Sequence, residues 1–151
     1  ECDEGRTCGA LIKATRLAKI DCGVEIDIDI DDLAIDESGL SAAHFAFGTI
    51  RYPGGGIGYL LYLKSSLTGN ERGYVMQYHT EHPKFPHQTT ADQLFDEAQF
   101  EAYRALGEHV AQDLFSDEFV AAGQALTARS WLESLIEELC EPPGSAARDG
   151  S

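Results

Sequence analysis

The chain reads as a mixed α/β (α+β) protein: a small sheet of about three strands that includes a hairpin, followed by C-terminal helices. Three observations predict this. Residues 24–31 alternate strictly between apolar and acidic side chains, which is the period of a strand. Two β-rich runs flank Pro53-Gly54-Gly55-Gly56, as in a hairpin. Beyond Thr90, apolar residues recur at helical spacing as far as Leu114.

Taken in order, Thr7 to Lys19 predicts a helix, with Leu11, Ile12, Leu17 and Ile20 as apolar positions and Gly23 placed to end it. Val24, Ile26, Ile28 and Ile30 then alternate with Glu25, Asp27, Asp29 and Asp31. A slip of one residue would bury the carboxylates, so the register of this strand is well specified. Asp32 to Ala43 is a loop, and Phe45–Tyr52 and Tyr59–Leu63 form the hairpin, its glycines supplying positive φ angles. Ser66-Leu67-Thr68-Gly69 breaks the second strand, and Glu71 to Glu81 predicts a short helix. Pro83 and Pro86 make residues 82–89 an extended loop.

Thr90-Ala91-Asp92-Gln93 has the pattern of a capping box, starting a long helix with a bend or break near Asp96 or Gly107. Its apolar stripe comprises Phe95, Ala98, Phe100, Ala102, Tyr103, Leu106 and Val110. Ser116 to Leu126 is another helical run, and Ser130-Trp131-Leu132-Glu133 caps a last helix that Pro142-Pro143 stops. Residues 1–141 are expected to form a single α/β segment, with 142–151 a flexible tail.

At 151 residues and 43% hydrophobic content the chain can build a real core. A net charge of -15 argues against nucleic acid as a partner, since phosphate binding needs clustered Lys and Arg, and against anionic membranes. No apolar run approaches the roughly 18 residues of a membrane span. The four cysteines lack C-x-x-C spacing and scaffold density, which predicts reduced thiols and a cytoplasmic location. The chain starts at Glu1, as expected of a processed or excised piece. Cys22, between a helix end and a strand, is expected to be a buried small hydrophobe.

The side chains that could carry chemistry each have a plain structural role as well. The run Asp27 to Asp32 resembles a calcium loop, but Asp32 stands where glycine is required and Ser38 where a bidentate glutamate belongs, so a solvated strand face is expected. His79, His82 and His87, with Glu81, are the best metal candidates by spacing, yet they do not form H-E-x-x-H and loop histidines often bond backbone. His87 is expected to be a buried structural tie that satisfies loop carbonyls or contacts Asp92 and Asp96. His44, Ser41 and the Asp36–Ser38 loop invite a triad reading, but nothing in the sequence places a base or an oxyanion hole. Gly54 to Gly58 lacks the Lys-Ser/Thr of a phosphate loop and reads as a hairpin turn. No catalytic, cofactor-binding or metal-ligating residue is therefore assigned, and no cofactor is expected.

Four segments in order, Ala18 to Ile26, His44 to Ile50, Ser66 to Gly69 and Phe85 to Gly107, resemble the C-terminal part of large bacterial patatin-like phospholipases. The likeness runs from about Glu1 to about Leu114. It implies a serine acyl hydrolase with a Ser–Asp dyad, in G-x-S-x-G and D-G-G motifs that lie upstream of the matching region. Neither motif is present: Gly54-Gly55-Gly56-Ile57-Gly58 has no serine, and Asp149-Gly150-Ser151 is a terminal tripeptide. The resemblance thus implies a segment that buttresses a catalytic domain and is inactive alone. Its partner would be the N-terminal catalytic part of the same polypeptide, which would also supply contact with lipid substrate and any membrane association. Part of the apolar stripe would be exposed without that neighbour, which favours self-association. The alternative is a non-enzymatic acidic α/β protein-interaction domain, and a third reading is a hydrolase built on a metal held by His79, His82 and His87.

Overall fold

A computed structural model describes residues 8–89, 94–115, 127, 130 and 131. Helix α1 (Gly9–Cys22) leads into strand β1 (Glu25–Ile28), a single 3-10 turn (Asp31–Leu33), strands β2 (Phe45–Arg51) and β3 (Ile57–Leu63), and helices α2 (Gly73–Glu81) and α3 (Glu97–Leu114). The strands form one antiparallel sheet in the order β1-β2-β3. This is the mixed α+β architecture expected, with three strands and a hairpin.

Helix α1 stops where Gly23 adopts a left-handed φ of 65°. The Gly23 and Val24 N–H groups then return to the Lys19 and Ala18 carbonyls, the double closure that glycine permits at a helix end. Thr7, the expected start, lies outside the described residues. β1 alternates as the sequence requires, its isoleucines half-buried and its acids exposed. It is shorter than the alternating run because the Asp29 side chain accepts the Asp31 N–H and turns the chain into the 3-10 turn. β1 pairs Glu25 with Arg51 through to Ile28 with Gly48. Gly48 is required there: a Cβ would stand 2.6 Å from the Asp27 carbonyl oxygen and 2.7 Å from the Ile28 Cβ.

The hairpin pairs Phe45 with Leu63 through to Arg51 with Ile57, so β3 starts two residues earlier than the β-rich run suggests. Its loop closes by Gly55 N–H to Tyr52 O and Tyr52 N–H to Gly56 O. The main core lies away from the sheet. Leu67, Val75, Tyr78, Phe85, Ala102, Ala105 and Leu106 pack α2 on α3, with the Phe85 loop between them. A second cluster joins Phe47 of β2 to Leu114 of α3, with Trp131 against it.

Several expectations change. The Thr90–Gln93 capping box lies outside the described residues, but Leu94 to Asp96 are not helical and α3 starts at Glu97. Asp96 is the cap, its side chain accepting the Gln99 N–H at 2.7 Å. Gln99, Ala102, Ala105, Leu106 and Leu114 form the buried face of α3, while Phe95, Ala98 and Phe100 of the expected stripe are exposed: Phe95 precedes the helix, and Phe100, two residues from Ala102, falls on the opposite side. Ser130 does not open the last helix, because Ser130 and Trp131 are already helical and Ser130 N–H bonds the Thr127 hydroxyl. The Ser116 to Leu126 run lies outside the described residues. Cys22 is exposed, since α1 has no buried residue and its last turn faces outward; Cys8 is the buried free thiol.

Candidate functional site

Among the described residues the buried polar ones are Ser41, His44, Lys64, Ser66, Glu71 and Gln99. Burial of polar groups is costly unless they are bonded, and among the described residues no buried side-chain nitrogen or oxygen lacks a partner. Three of the six, His44, Ser66 and Glu71, belong to one cluster that His109 and Asp113 complete.

Each member is placed by a different element. His44 immediately precedes β2 and is 2% exposed. Its Nδ1 lies 3.2 Å from the Ser66 hydroxyl and its Nε2 lies 3.2 Å from the Thr68 hydroxyl. The chain leaving β3 brings these hydroxyls back past His44, and the Lys64 N–H bonds the His44 carbonyl. Glu71 organises the turn that follows, its two carboxylate oxygens accepting the N–H groups of Thr68 (2.6 Å) and Gly69 (2.9 Å). Gly69 has a φ of 89°, open to glycine, which lets both N–H groups point at one carboxylate. His109 and Asp113 lie one turn apart on α3 and so face the same way. The rings of His44 and His109 meet edge to face.

The donor atoms gather around a common point. His44 Nε2 is 3.9 Å from Glu71 Oε1 and 3.7 Å from Asp113 Oδ2, while His109 Nε2 is 3.5 Å from Asp113 Oδ2. One donor atom from each of His44, Glu71 and His109 falls within 4.8 Å of the others. Burial pushes the His44 imidazole below its ordinary pKa, with His109 acting in the same direction and the Glu71 and Asp113 carboxylates opposing it. The neutral ring is thereby favoured, the form that accepts a hydrogen bond or a metal ion.

The cluster is not built for nucleophilic attack. Ser66 and His44 have the hydroxyl–imidazole contact of a triad, but Ser66 is 1% exposed, closed to a substrate carbonyl, and its hydroxyl faces the Ala43 carbonyl of the chain itself. The Thr68 and Gly69 N–H groups, which could have stabilised an oxyanion, are both engaged by Glu71.

The other candidates are dispersed. Ser41 bonds the Leu33 carbonyl, and Asp36 accepts Ser38 and Leu40 within its own turn, so neither meets His44 as a triad would require. His79 Nδ1 bonds the Phe85 carbonyl at 2.8 Å, and His82 stacks on Tyr78. His87 is exposed, not a buried tie, and its N–H closes a turn onto the Lys84 carbonyl. The tie in that loop is His79, with Tyr103 donating to the Pro86 carbonyl. The acidic face of β1 stays solvated. Glu71, His109 and Asp113 were not singled out from the sequence; the four-residue spacing of His109 and Asp113 was the available signal.

An apolar cavity of about 270 Å³ opens between the end of β3 and α3, lined chiefly by Leu63, Tyr103, Leu106, Val110 and Leu114. Among the described residues no helix is long and apolar enough to cross a membrane. Comparison of the chain with protein-family models, curated proteins and solved structures returned no match.

Proposed function

We propose that this chain is the C-terminal structural portion of a patatin-like lipid acyl hydrolase. In this reading it carries no catalytic dyad and buttresses the catalytic part of the same polypeptide. The chemistry would be serine attack on a lipid ester, with an upstream aspartate as base and water releasing the acyl group. The segments here would support that domain and help shape its acyl pocket.

One observation carries the reading: three segments that bear the resemblance meet each other in space. His44 of the first bonds Ser66 and Thr68 of the second. Leu67 of the second shares a core with Phe85, Ala102, Ala105 and Leu106 of the third. Residues that carry the resemblance in order along the chain and also pack together are what a scaffold would use. The sealed Ser66 hydroxyl agrees with a supporting role.

The second reading, an acidic interaction domain, is favoured by helix α1. Ile12, Leu17 and Ile20 are 54%, 41% and 66% exposed on a helix with no buried residue. A catalytic domain of the same polypeptide would serve equally as the surface that covers them.

The test is hydrolysis of a short-chain nitrophenyl ester by this chain and by a form extended upstream in its reading frame. Activity only in the extended form, lost when its elbow serine is replaced, supports the scaffold. An upstream sequence without G-x-S-x-G and D-G-G would sink it and favour the interaction domain. Activity in the isolated chain overturns both.

A further inference from the structure

We propose that His44, Glu71 and His109, with Asp113 beside them, form a binding site for a divalent transition-metal ion, zinc being the best fit. The ion would fasten the start of β2, the Ser66–Glu71 turn and α3 to one another. The proposal concerns donors within this chain and goes beyond the lipid hydrolase reading, so either can fail without the other.

The donor set is the first argument. Two imidazoles and two carboxylates suit zinc and its first-row neighbours, whereas calcium and magnesium require oxygen ligands throughout. Spacing is the second. Zinc bonds nitrogen and oxygen at about 2.0–2.1 Å, so neighbouring ligands of a tetrahedral ion stand roughly 3.3 Å apart. The donor atoms of His44, Glu71 and His109 all fall within 4.8 Å of one another, and the His109–Asp113, His44–Asp113 and His44–Glu71 separations of 3.5, 3.7 and 3.9 Å lie just outside that edge. They also exceed the usual 2.7–3.2 Å of an N–H···O bond, so the groups face one another without pairing. Small side-chain rotations close the shell, and the His109 and Asp113 side chains, less buried than those of His44 and Glu71, have the freedom to make them.

The surroundings orient the ligands as metal sites do. With an ion on Nε2, His44 carries its proton on Nδ1 and donates it to the Ser66 hydroxyl, which in turn donates to the Ala43 carbonyl at 3.2 Å. Glu71 Oε2 accepts one backbone N–H and keeps a second lone pair, while Oε1 accepts the Thr68 N–H and also lies 3.4 Å from the Thr68 hydroxyl, whose single proton has the closer Asn70 Oδ1 at 2.6 Å as its acceptor, which leaves Oε1 able to bind the ion. The competing description is a hydrogen-bonded knot, since His109 Nε2 lies 2.8 Å from Asn70 Oδ1 and His44 Nε2 lies beside Thr68. Asn70 is exposed and its side chain can turn away when an ion replaces the imidazole proton. The two descriptions therefore differ on Asn70: a knot is weakened by its removal, whereas an ion loses a competitor.

The experiment uses the full chain, stripped with chelator and titrated calorimetrically with zinc ion alone, then with cobalt(II) as a spectroscopic probe. We expect one equivalent of zinc, a Tm that rises with zinc concentration, and visible absorption from cobalt in a nitrogen–oxygen site. His109→Gln should weaken zinc binding by about 100-fold or more, Asn70→Ala should keep or tighten it, and His82→Gln should leave it unchanged. Binding below one equivalent, or unaltered by His109→Gln, overturns the proposal and assigns any uptake to the acidic surface. If His109→Gln does not fold, the cobalt-shifted proton resonances of the wild-type chain decide: shifted signals from both His44 and His109 support the site, and their absence overturns it.

Discussion

The imidazole of His44 abuts that of His109 edge to face, with ring centroids 5.3 Å apart and planes at 89°. One ring sits at the mouth of β2 and the other on α3, so this contact links the sheet to the helical layer through polar groups. Among the described residues few apolar contacts do the same: the Phe47–Leu114 cluster is the other link, and the main core joins helix to helix. Stability of the interface between sheet and helices should therefore be unusually sensitive to the polar cluster.

Ser66→Ala tests that sensitivity. The substitution removes the partner of His44 Nδ1 in a site closed to water, leaving a buried ring nitrogen unsatisfied. The expected cost is about 1–3 kcal/mol by urea denaturation. Thr68→Val, at a half-buried hydroxyl that water can partly replace, should cost less. Equal losses would show that burial does not set the scale here.

Asp96→Ala should destabilise α3 by about 1 kcal/mol, seen as a lower thermal midpoint and lost helical signal, because the Gln99 N–H loses its acceptor. Asp96→Asn should recover most of that. The choice of cap explains why the sequence misplaces this helix. Thr90 with Gln93 satisfies the capping pattern as well as Asp96 does, and local rules do not rank two adequate caps. The later start leaves Phe95 outside the helix, and Phe100, two residues from Ala102, lies on the face opposite the buried one, which Gln99 joins.

Where the interactions are local, the sequence was legible. The Ile-Asp alternation, Gly23 at the helix end and the glycine loop of the hairpin each act over a few residues, and each appears as expected. The polar cluster was not legible, because His44, Glu71 and His109 come from three separate segments whose meeting depends on how β3, the Ser66–Glu71 turn and α3 pack. Sequence proximity favoured His79, His82 and His87 instead. Those rings diverge because one binds the Phe85 carbonyl, one stacks on Tyr78 and one is exposed.

Asp36 should give a pH signature. Its carboxylate accepts the Ser38 hydroxyl and the backbone N–H groups of Ser38 and Leu40, and the Ser38 side chain foremost holds its pKa below the ordinary aspartate value. A carboxyl lowered on folding stabilises the protein above its unfolded pKa, and that contribution is lost as pH falls through the folded value. Thermal midpoints of the wild type and Asp36→Asn, compared between about pH 6 and pH 2, should therefore converge on acidification, the unfolded aspartate value being about 3.9. A constant difference across that range would refute the assignment.

Gly48→Ala probes the tightest point of the sheet. A Cβ at this position meets the Asp27 carbonyl oxygen at 2.6 Å and the Ile28 Cβ at 2.7 Å, and both contacts involve the edge strand β1. Neither is the far end of a flexible side chain, so relief requires β1 to move away from β2 and give up part of the Glu25–Arg51 to Ile28–Gly48 pairing. Overpacking of this kind costs about 1–3 kcal/mol, occasionally more. Because β1 is short and lies at the edge, hydrogen exchange should quicken at residues 25–28 and at those amides of 48–51 that point toward β1, while the amides bonded between β2 and β3 stay protected. Gly54→Ala, in the hairpin loop with open space around the added methyl, is the control and should change little. Uniform loss of protection across the whole sheet would instead mean that β1 is integral to the sheet's cooperativity.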